Sequence, residues 1–344
     1  MSASHPLRGG VLGCGMISEF HLRGWQRIPE VQIVALADPA LPAARARQSA
    51  FAPDAHLYSS LEGMLRAEEL DFVDVITPPW LHAEHCRRAK EAGLHVICQK
   101  PLCLEIEEAR ALVRDMEAPT PLHRSGGKRL FSVHENHRYR PWFDEIRRRH
   151  AEGFFGKLRY LRIDQFDPYE PPEKFKADAE RGVVLEYGTH LIDMVRALLG
   201  DPKATLARGH FPNPRVRGES VAHITFTYDD ATAVVDVAWK AAGVQQGGFL
   251  LIGDEGEAFF EGRLTRDHAA RFRLLHGNDV VKDEMRSPTG DYIDSFYMAE
   301  RHFTDAMLAG RDPEQSGSEN LKTLEATFAT YQSMKTGTLV PIPS

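Results

Sequence analysis

The chain has little cysteine, no long apolar run and no basic block, and each lack removes a class of function. Its four cysteines, Cys14, Cys86, Cys98 and Cys103, fall in the first third of 344 residues, without a CxxC pair or a disulfide-rich spacing. Cys98 and Cys103 flank Lys100, so a redox pair is conceivable, but small packing residues are the better reading. No apolar stretch is long enough to cross a bilayer, and Met1-Ser2-Ala3-Ser4-His5-Pro6 lacks the apolar core of an export signal. Against 49 acidic side chains stand 42 Lys and Arg, a formal net charge of −7, and Arg147-Arg148-Arg149 is short and sits on an expected helix surface. Nucleic acid and membrane are therefore not expected partners, and a reducing, cytoplasmic setting is the expectation. No internal repeat or low-complexity tract is visible.

What is present points to two domains, because 344 residues exceed what one core usually serves. The first, residues 1–138, alternates strand and helix. Gly9-Gly10-Val11-Leu12 runs into Gly13-Cys14-Gly15-Met16-Ile17-Ser18, and Phe20, Leu22, Trp25 and Ile28 then follow at helical spacing. This is a G-x-G-x-x-S turn between strand and helix, with small Ser18 where the dinucleotide fingerprint has Gly or Ala. Gly13 suits the tight turn, and Gly15 suits a pyrophosphate approaching the backbone at a helix N-terminus. Alone, this could be an ordinary glycine turn. Residues 31–37 read as a second strand ending at Asp38, about 20 residues on, where a carboxylate accepts hydrogen bonds from an adenosine ribose diol and repels a 2′-phosphate. NAD is thus expected over NADP, although Arg45 and Arg47 follow within reach of a phosphate.

Three further strand ends carry chemistry. Residues 72–76 end in Thr77-Pro78-Pro79-Trp80-Leu81-His82, a rigid loop expected over the cofactor crevice. His82, His85 and Cys86 raise the question of metal, but they start a helix over 83–92 and nothing completes a ligand set, so no metal is expected. Residues 94–97 form the strand that ends in Cys98-Gln99-Lys100-Pro101. A lysine there is either an exposed turn residue or a cation held beside a cofactor. Residues 130–133 form the last strand, ending in His134-Glu135-Asn136-His137-Arg138-Tyr139-Arg140, a plausible substrate wall.

Past Arg138 the pattern changes. In residues 139–344, period-two strands at 157–165, 221–228, 233–240, 249–252, 257–260 and 272–275 follow one another with few helices between, implying an open mixed, mostly antiparallel sheet of α+β type. Two helices close the chain, the second behind the capping pattern Ser316-Gly317-Ser318-Glu319. Between the early strands, Glu186, His190 and Asp193 share a face if their segment is helical. A carboxylate beside an imidazole suits general acid–base work, and a buried, hydrogen-bonded histidine is about equally consistent.

Taken together, Gly13-Cys14-Gly15-Met16-Ile17, Asp38, Thr77-Pro78-Pro79 with His82, Lys100-Pro101, Asn136 with Arg138, and Gly188-Thr189-His190-Leu191-Ile192-Asp193 resemble the glucose–fructose oxidoreductase/inositol dehydrogenase/MocA family. The resemblance implies an α/β Rossmann domain, doubly wound on a parallel sheet, and a second domain whose exposed sheet face forms homodimers or homotetramers. It implies hydride transfer between NAD and a sugar or polyol carbinol carbon. It maps a catalytic lysine onto Lys100, a catalytic histidine onto His190 and a catalytic acid onto Glu186. Cofactor contacts would come from Gly13, Gly15, Met16, Ile17, Asp38, Thr77, Pro78, Pro79, His82, Gln99 and Lys100. Sugar contacts would come from Asn136, Arg138, Tyr169, His190 and Asp193. Two departures stand out: Gln99 replaces the usual Glu, and Glu186 replaces an Asp. The segments at 133–136, 217–222 and 316–324 resemble the branch that oxidises D-apiose at its anomeric carbon. A redox-neutral lyase or glycosidase that retains NAD, or a noncatalytic dinucleotide sensor, are the alternatives.

Overall fold

The computed structural model describes residues 5–118, 128–168, 174–240, 242–262 and 269–343. They fall into two compact units, one of residues 1–136 with 293–321, the other of 137–292 with 322–344.

The first unit contains strands β1 (Leu7–Leu12), β2 (Val31–Ala37), β3 (His56–Tyr58), β4 (Phe72–Val75), β5 (His95–Gln99) and β6 (Phe131–His134). Between them run helices α1 (Ser18–Trp25), α2 (Leu41–Phe51), α3 (Leu61–Ala67), α4 (Pro79–Glu91) and α5 (Ile106–Glu117). The strands pair in parallel in the order β3-β2-β1-β4-β5-β6. Every residue of β4, β5 and β6 is buried, as expected of parallel strands covered on both faces. The chain winds outward from β1 in one direction and from β4 in the other, so a topological switch point lies between these two neighbours. α4 begins at Pro79, four residues before the expected start at 83, because Pro78 is extended and Pro79 occupies the first turn, where a missing N–H costs nothing.

The second unit holds α6 (Pro141–Ala151), β7 (Leu158–Pro168), α7 (Lys174–Asp178), one π turn (Val184–Gly188) and α8 (Thr189–Leu199). Then come β8 (Ala204–His210), β9 (Val221–Thr227), β10 (Thr232–Lys240), β11 (Gln246–Gly253), β12 (Gly256–Gly262), β13 (Ala270–His276) and β14 (Asp279–Arg286). Helices α9 (Pro288–Ala309) and α10 (Gly317–Thr336) and the short β15 (Val340–Pro341) follow. The sheet order is β14-β13-β12-β11-β7-β10-β9-β8-β15; β10 and β7 are parallel and all other neighbours antiparallel. The mixed, mostly antiparallel sheet is thus as the sequence predicts. Its alternation of buried and exposed residues turns one face onto Trp142, Phe143 and Ile146 of α6 and Leu191, Ile192 and Val195 of α8. The Trp142 ring stacks on Phe260 at 4.4 Å, and such pairs add about 0.5–1.5 kcal/mol beyond burial.

The division is not a single cut near residue 138. Phe303 and Ala306 of α9 pack with Trp25, Ile28, Phe72 and Ile97, which ties that stretch of helix to the first unit. Apolar burial, not chain order, decides the membership.

Candidate active site

Five strand ends of the first unit bring its predicted residues to one edge. Each parallel strand stops and its next residues turn over the carboxyl rim, placing Gly13 and Gly15 after β1, Asp38 after β2, Thr77 and Pro78 after β4, Lys100 after β5 and Asn136 after β6. Gly13 has φ +99°, and a Cβ there would lie 2.6 Å from the Ile76 carbonyl oxygen, so only glycine fits. At Gly15 a Cβ would meet nothing within 4 Å, and this open space lies just before α1. That is the cradle a pyrophosphate needs, with no side chain between it and the backbone. Met16 and Ile17 complete the turn, Met16 largely exposed.

Asp38 is bound into the same turn. Its Oδ2 accepts the Cys14 N–H at 2.8 Å and its Oδ1 the Ala40 N–H at 2.7 Å. The carboxylate therefore stands beside the glycine turn, one strand over, as a ribose reader must. Arg47 does not stand free for a phosphate. Its guanidinium donates to Gly15 O at 3.1 Å, Ser18 Oγ at 3.1 Å and Glu19 Oε2 at 3.2 Å, clipping α2 to the turn, while Arg45 is exposed.

His82 is enclosed, with Nε2 2.7 Å from Thr77 O and Nδ1 3.0 Å from Pro101 O. Burial holds its pKa down at about 4, against the pull of the carbonyls its two nitrogens face, and the ring packs between the Thr77-Pro78-Pro79 loop and the Lys100-Pro101 loop. Lys100 is half-buried, and the Lys100-Pro101 peptide is cis. Gln99, expected at the cofactor, is turned inward: its Oε1 accepts the Lys100 N–H at 2.7 Å and its Nε2 lies 2.9 Å from His21 Nε2. Asn136 Nδ2 donates to Ser295 Oγ at 2.8 Å.

Behind this rim lies a buried polar group that the motifs did not reveal. His21, Asp74 and Glu300 are wholly enclosed and His134 nearly so. Gly24 makes room for it, since a Cβ there would overlap the Glu300 carboxylate. His21, His134 and Glu300 bring ligand-type atoms within 4.8 Å of one another. Both His21 nitrogens are engaged, by Asp74 and by Gln99, so a cation held by this trio would have to displace one of those hydrogen bonds. The signal was present: a histidine on the apolar stripe of α1 and a carboxylate inside an otherwise apolar strand.

The second unit carries the other predicted residues. Glu186 is on the π turn and His190 and Asp193 on α8, so the one α-helical face expected for all three is broken by the wider turn. Glu186 pairs with Lys176 Nζ at 3.0 Å. The His190 ring lies against His137, centroids 4.0 Å apart. Asp193 and Arg138 form a buried fork, Nε–Oδ2 2.7 Å and Nη2–Oδ1 2.6 Å, and Thr323 Oγ1 also donates to Asp193 at 3.0 Å. Glu219 holds the start of this segment, accepting the Gly182 and Val184 N–H groups at 2.9 Å each and the Tyr331 hydroxyl at 2.8 Å. Burial raises its carboxyl pKa against these donors. Tyr169 lies outside the described residues.

Residues 7–119 match the model of the oxidoreductase family with NAD-binding Rossmann fold, and residues 143–259 match the GFO/IDH/MocA C-terminal domain. The chain is 32% identical to D-apiose dehydrogenase of Paraburkholderia graminis, over 98% of this chain and 90% of that protein. D-apiose dehydrogenase of Rhizobium rhizogenes is 26% identical over 98% and 97%. A solved oxidoreductase from Agrobacterium radiobacter in complex with NAD+, L-tartaric acid and magnesium matches with TM-score 0.84 at 24% identity, covering 97% of this chain and 98% of that one. Levoglucosan dehydrogenase in complex with NADH and levoglucosan matches with TM-score 0.83 at 20% identity, covering 99% and 100%. At these identities the structural matches speak for the fold. The curated relatives named here are dehydrogenases, so neither the lyase or glycosidase nor the sensor alternative gains support.

Proposed function

The chain belongs to the GFO/IDH/MocA family of NAD-binding Rossmann oxidoreductases, and from this we propose that it is a sugar dehydrogenase whose substrate is an aldopentose of the D-apiose type, oxidised at the anomeric carbon. The observation that carries the dehydrogenase reading is the single sheet edge bearing the open glycine turn, Asp38 and Lys100 together. The aldopentose rests on the 32% identity, along nearly the whole chain, to a D-apiose dehydrogenase.

NAD, when bound, supplies the acceptor for the hydride that leaves the carbinol carbon. Gly13 and Gly15 leave its pyrophosphate room, and Asp38 accepts from the adenosine ribose and disfavours a 2′-phosphate. Lys100 donates to the reacting oxygen and stabilises the negative charge that develops on it. His190 takes the hydroxyl proton, and Glu186 is the acid that tunes it; such proton handling contributes about 10²–10⁴ in rate. Asn136 and Tyr169 are proposed sugar contacts. Arg138 and Asp193, engaged with each other, act through α8 by holding His190 in place. The exposed face of the nine-stranded sheet is the proposed surface for a homodimer or homotetramer. The cytoplasm is the proposed location; among the described residues no helix is long and apolar enough to cross a membrane.

A panel of aldopentoses, hexoses and inositols assayed for reduced nicotinamide with NAD and NADP tests this. D-apiose with NAD should give the highest kcat/KM. Preference for an inositol or for NADP would overturn the substrate or cofactor assignment respectively.

A further inference from the structure

Lys100 sits at the end of a continuous hydrogen-bond chain that starts on another strand. Its backbone N–H lies 2.7 Å from Gln99 Oε1. An N–H only donates, so that atom must be the amide oxygen, and the orientation of the Gln99 amide follows. The Gln99 NH2 then points at His21 Nε2, 2.9 Å away, which must carry a lone pair. The ring proton is left on Nδ1, 2.8 Å from Asp74 Oδ2. The same oxygen accepts the Trp25 indole N–H at 2.8 Å. Every link has one donor and one acceptor, and the chain reads in only one sense.

We propose that Gln99 is a positioning residue: it locks His21 as the neutral Nδ1–H tautomer and thereby ties the backbone of Lys100 to β4 and α1. The surroundings of His21 make such a lock necessary. Asp74 faces it from β4, and Glu300 from α9 brings Oε1 to 3.6 Å from Nδ1. His134, at the end of β6, lies ring against ring at 4.2 Å, and Phe296 of α9 closes the remaining side at 5.3 Å. A proton on Nε2 would set donor against donor with the Gln99 NH2, so the ring proton belongs on Nδ1, facing Asp74. In Gln99→Glu the logic inverts: the new carboxylate accepts from both the Lys100 N–H and a protonated Nε2, and His21 becomes an imidazolium between two carboxylates.

The functional meaning rests on the reading of Lys100 as catalytic, but the test does not. Ring 15N correlations are recorded on the full-length protein labelled at histidine, with His21 assigned through its contact to the Phe296 ring. The wild type should show one N–H on Nδ1 and an unprotonated Nε2. Gln99→Glu should show both nitrogens protonated at neutral pH, and its kcat/KM should gain an ionisation that the wild type lacks. A wild-type His21 found as imidazolium or as the Nε2–H tautomer would overturn the proposal, as would a Gln99→Glu ring identical to wild type. The wild-type spectrum decides even if the variant does not fold. Should Lys100 prove dispensable for turnover, the ring signature would persist, so the two failures are distinct.

Discussion

Asp193→Asn separates a structural role from a substrate contact at a residue where both readings make sense. Its carboxylate takes two hydrogen bonds from the Arg138 guanidinium at 2.6 and 2.7 Å, and neither side chain reaches solvent. Removing the charge breaks a buried ion pair from one side, which costs about 3–5 kcal/mol. For a unit of this size, each kcal/mol moves Tm by about 2–4 °C, so the variant should melt roughly 6–20 °C lower. Arg138→Met combined with Asp193→Leu should recover most of that loss, because an apolar pair of similar volume has no charge to leave stranded. Calorimetry and urea unfolding of the wild type, both single variants and the double variant provide the measurement. The folded fraction of Asp193→Asn should keep a KM for sugar near that of the wild type. An unchanged Tm with a raised KM would refute the reasoning and return Asp193 to the substrate.

Three further outcomes follow from the geometry. Gly15→Ala should fold as well as the wild type and lose NAD affinity, whereas Gly13→Ala should lose stability, because its Cβ would meet the Ile76 carbonyl; titration of NAD against fluorescence together with Tm distinguishes them. Glu300 is held protonated by burial, well above its ordinary 4.5, so the native state binds more protons than the unfolded chain above that pH. Stability should therefore be complete below about pH 4.5 and fall by about 1.4 kcal/mol per pH unit until the raised pKa is passed, and Glu300→Gln should abolish that slope in urea titrations run across pH. Asp38→Ser should raise kcat/KM with NADP relative to NAD, because the repulsion of a 2′-phosphate is gone; an unchanged ratio in steady-state assays would contradict the ribose reading.

The residues were most legible where local pattern and tertiary environment coincide. The glycine turn, Asp38 and the Lys100-Pro101 strand end are local motifs, and each lies where the alternation of strand and helix places it. Three strands of the second sheet escaped notice: β15 (Val340–Pro341) is two residues long, and the other two have definite reasons. β8 (Ala204–His210) has only one large apolar side chain, and β14 (Asp279–Arg286) is a charged edge strand held by pairs such as Arg271–Asp283. Edge strands need no buried alternation. Long-range partners were beyond reach. Gln99 looked outward by adjacency to Lys100, yet its partner His21 stands 78 positions away. Arg138 and Asp193 were expected as separate substrate contacts, and only the fold brings them to each other.

The most direct test is Lys100→Ala assayed in a single turnover with NAD and D-apiose, alongside equilibrium binding of NAD. The account predicts that NAD binds with nearly wild-type affinity, because the glycine turn and Asp38 are untouched, while the rate of reduced nicotinamide formation falls by about 10²–10⁴. A Lys100→Ala protein that reduces NAD at the wild-type rate would contradict it.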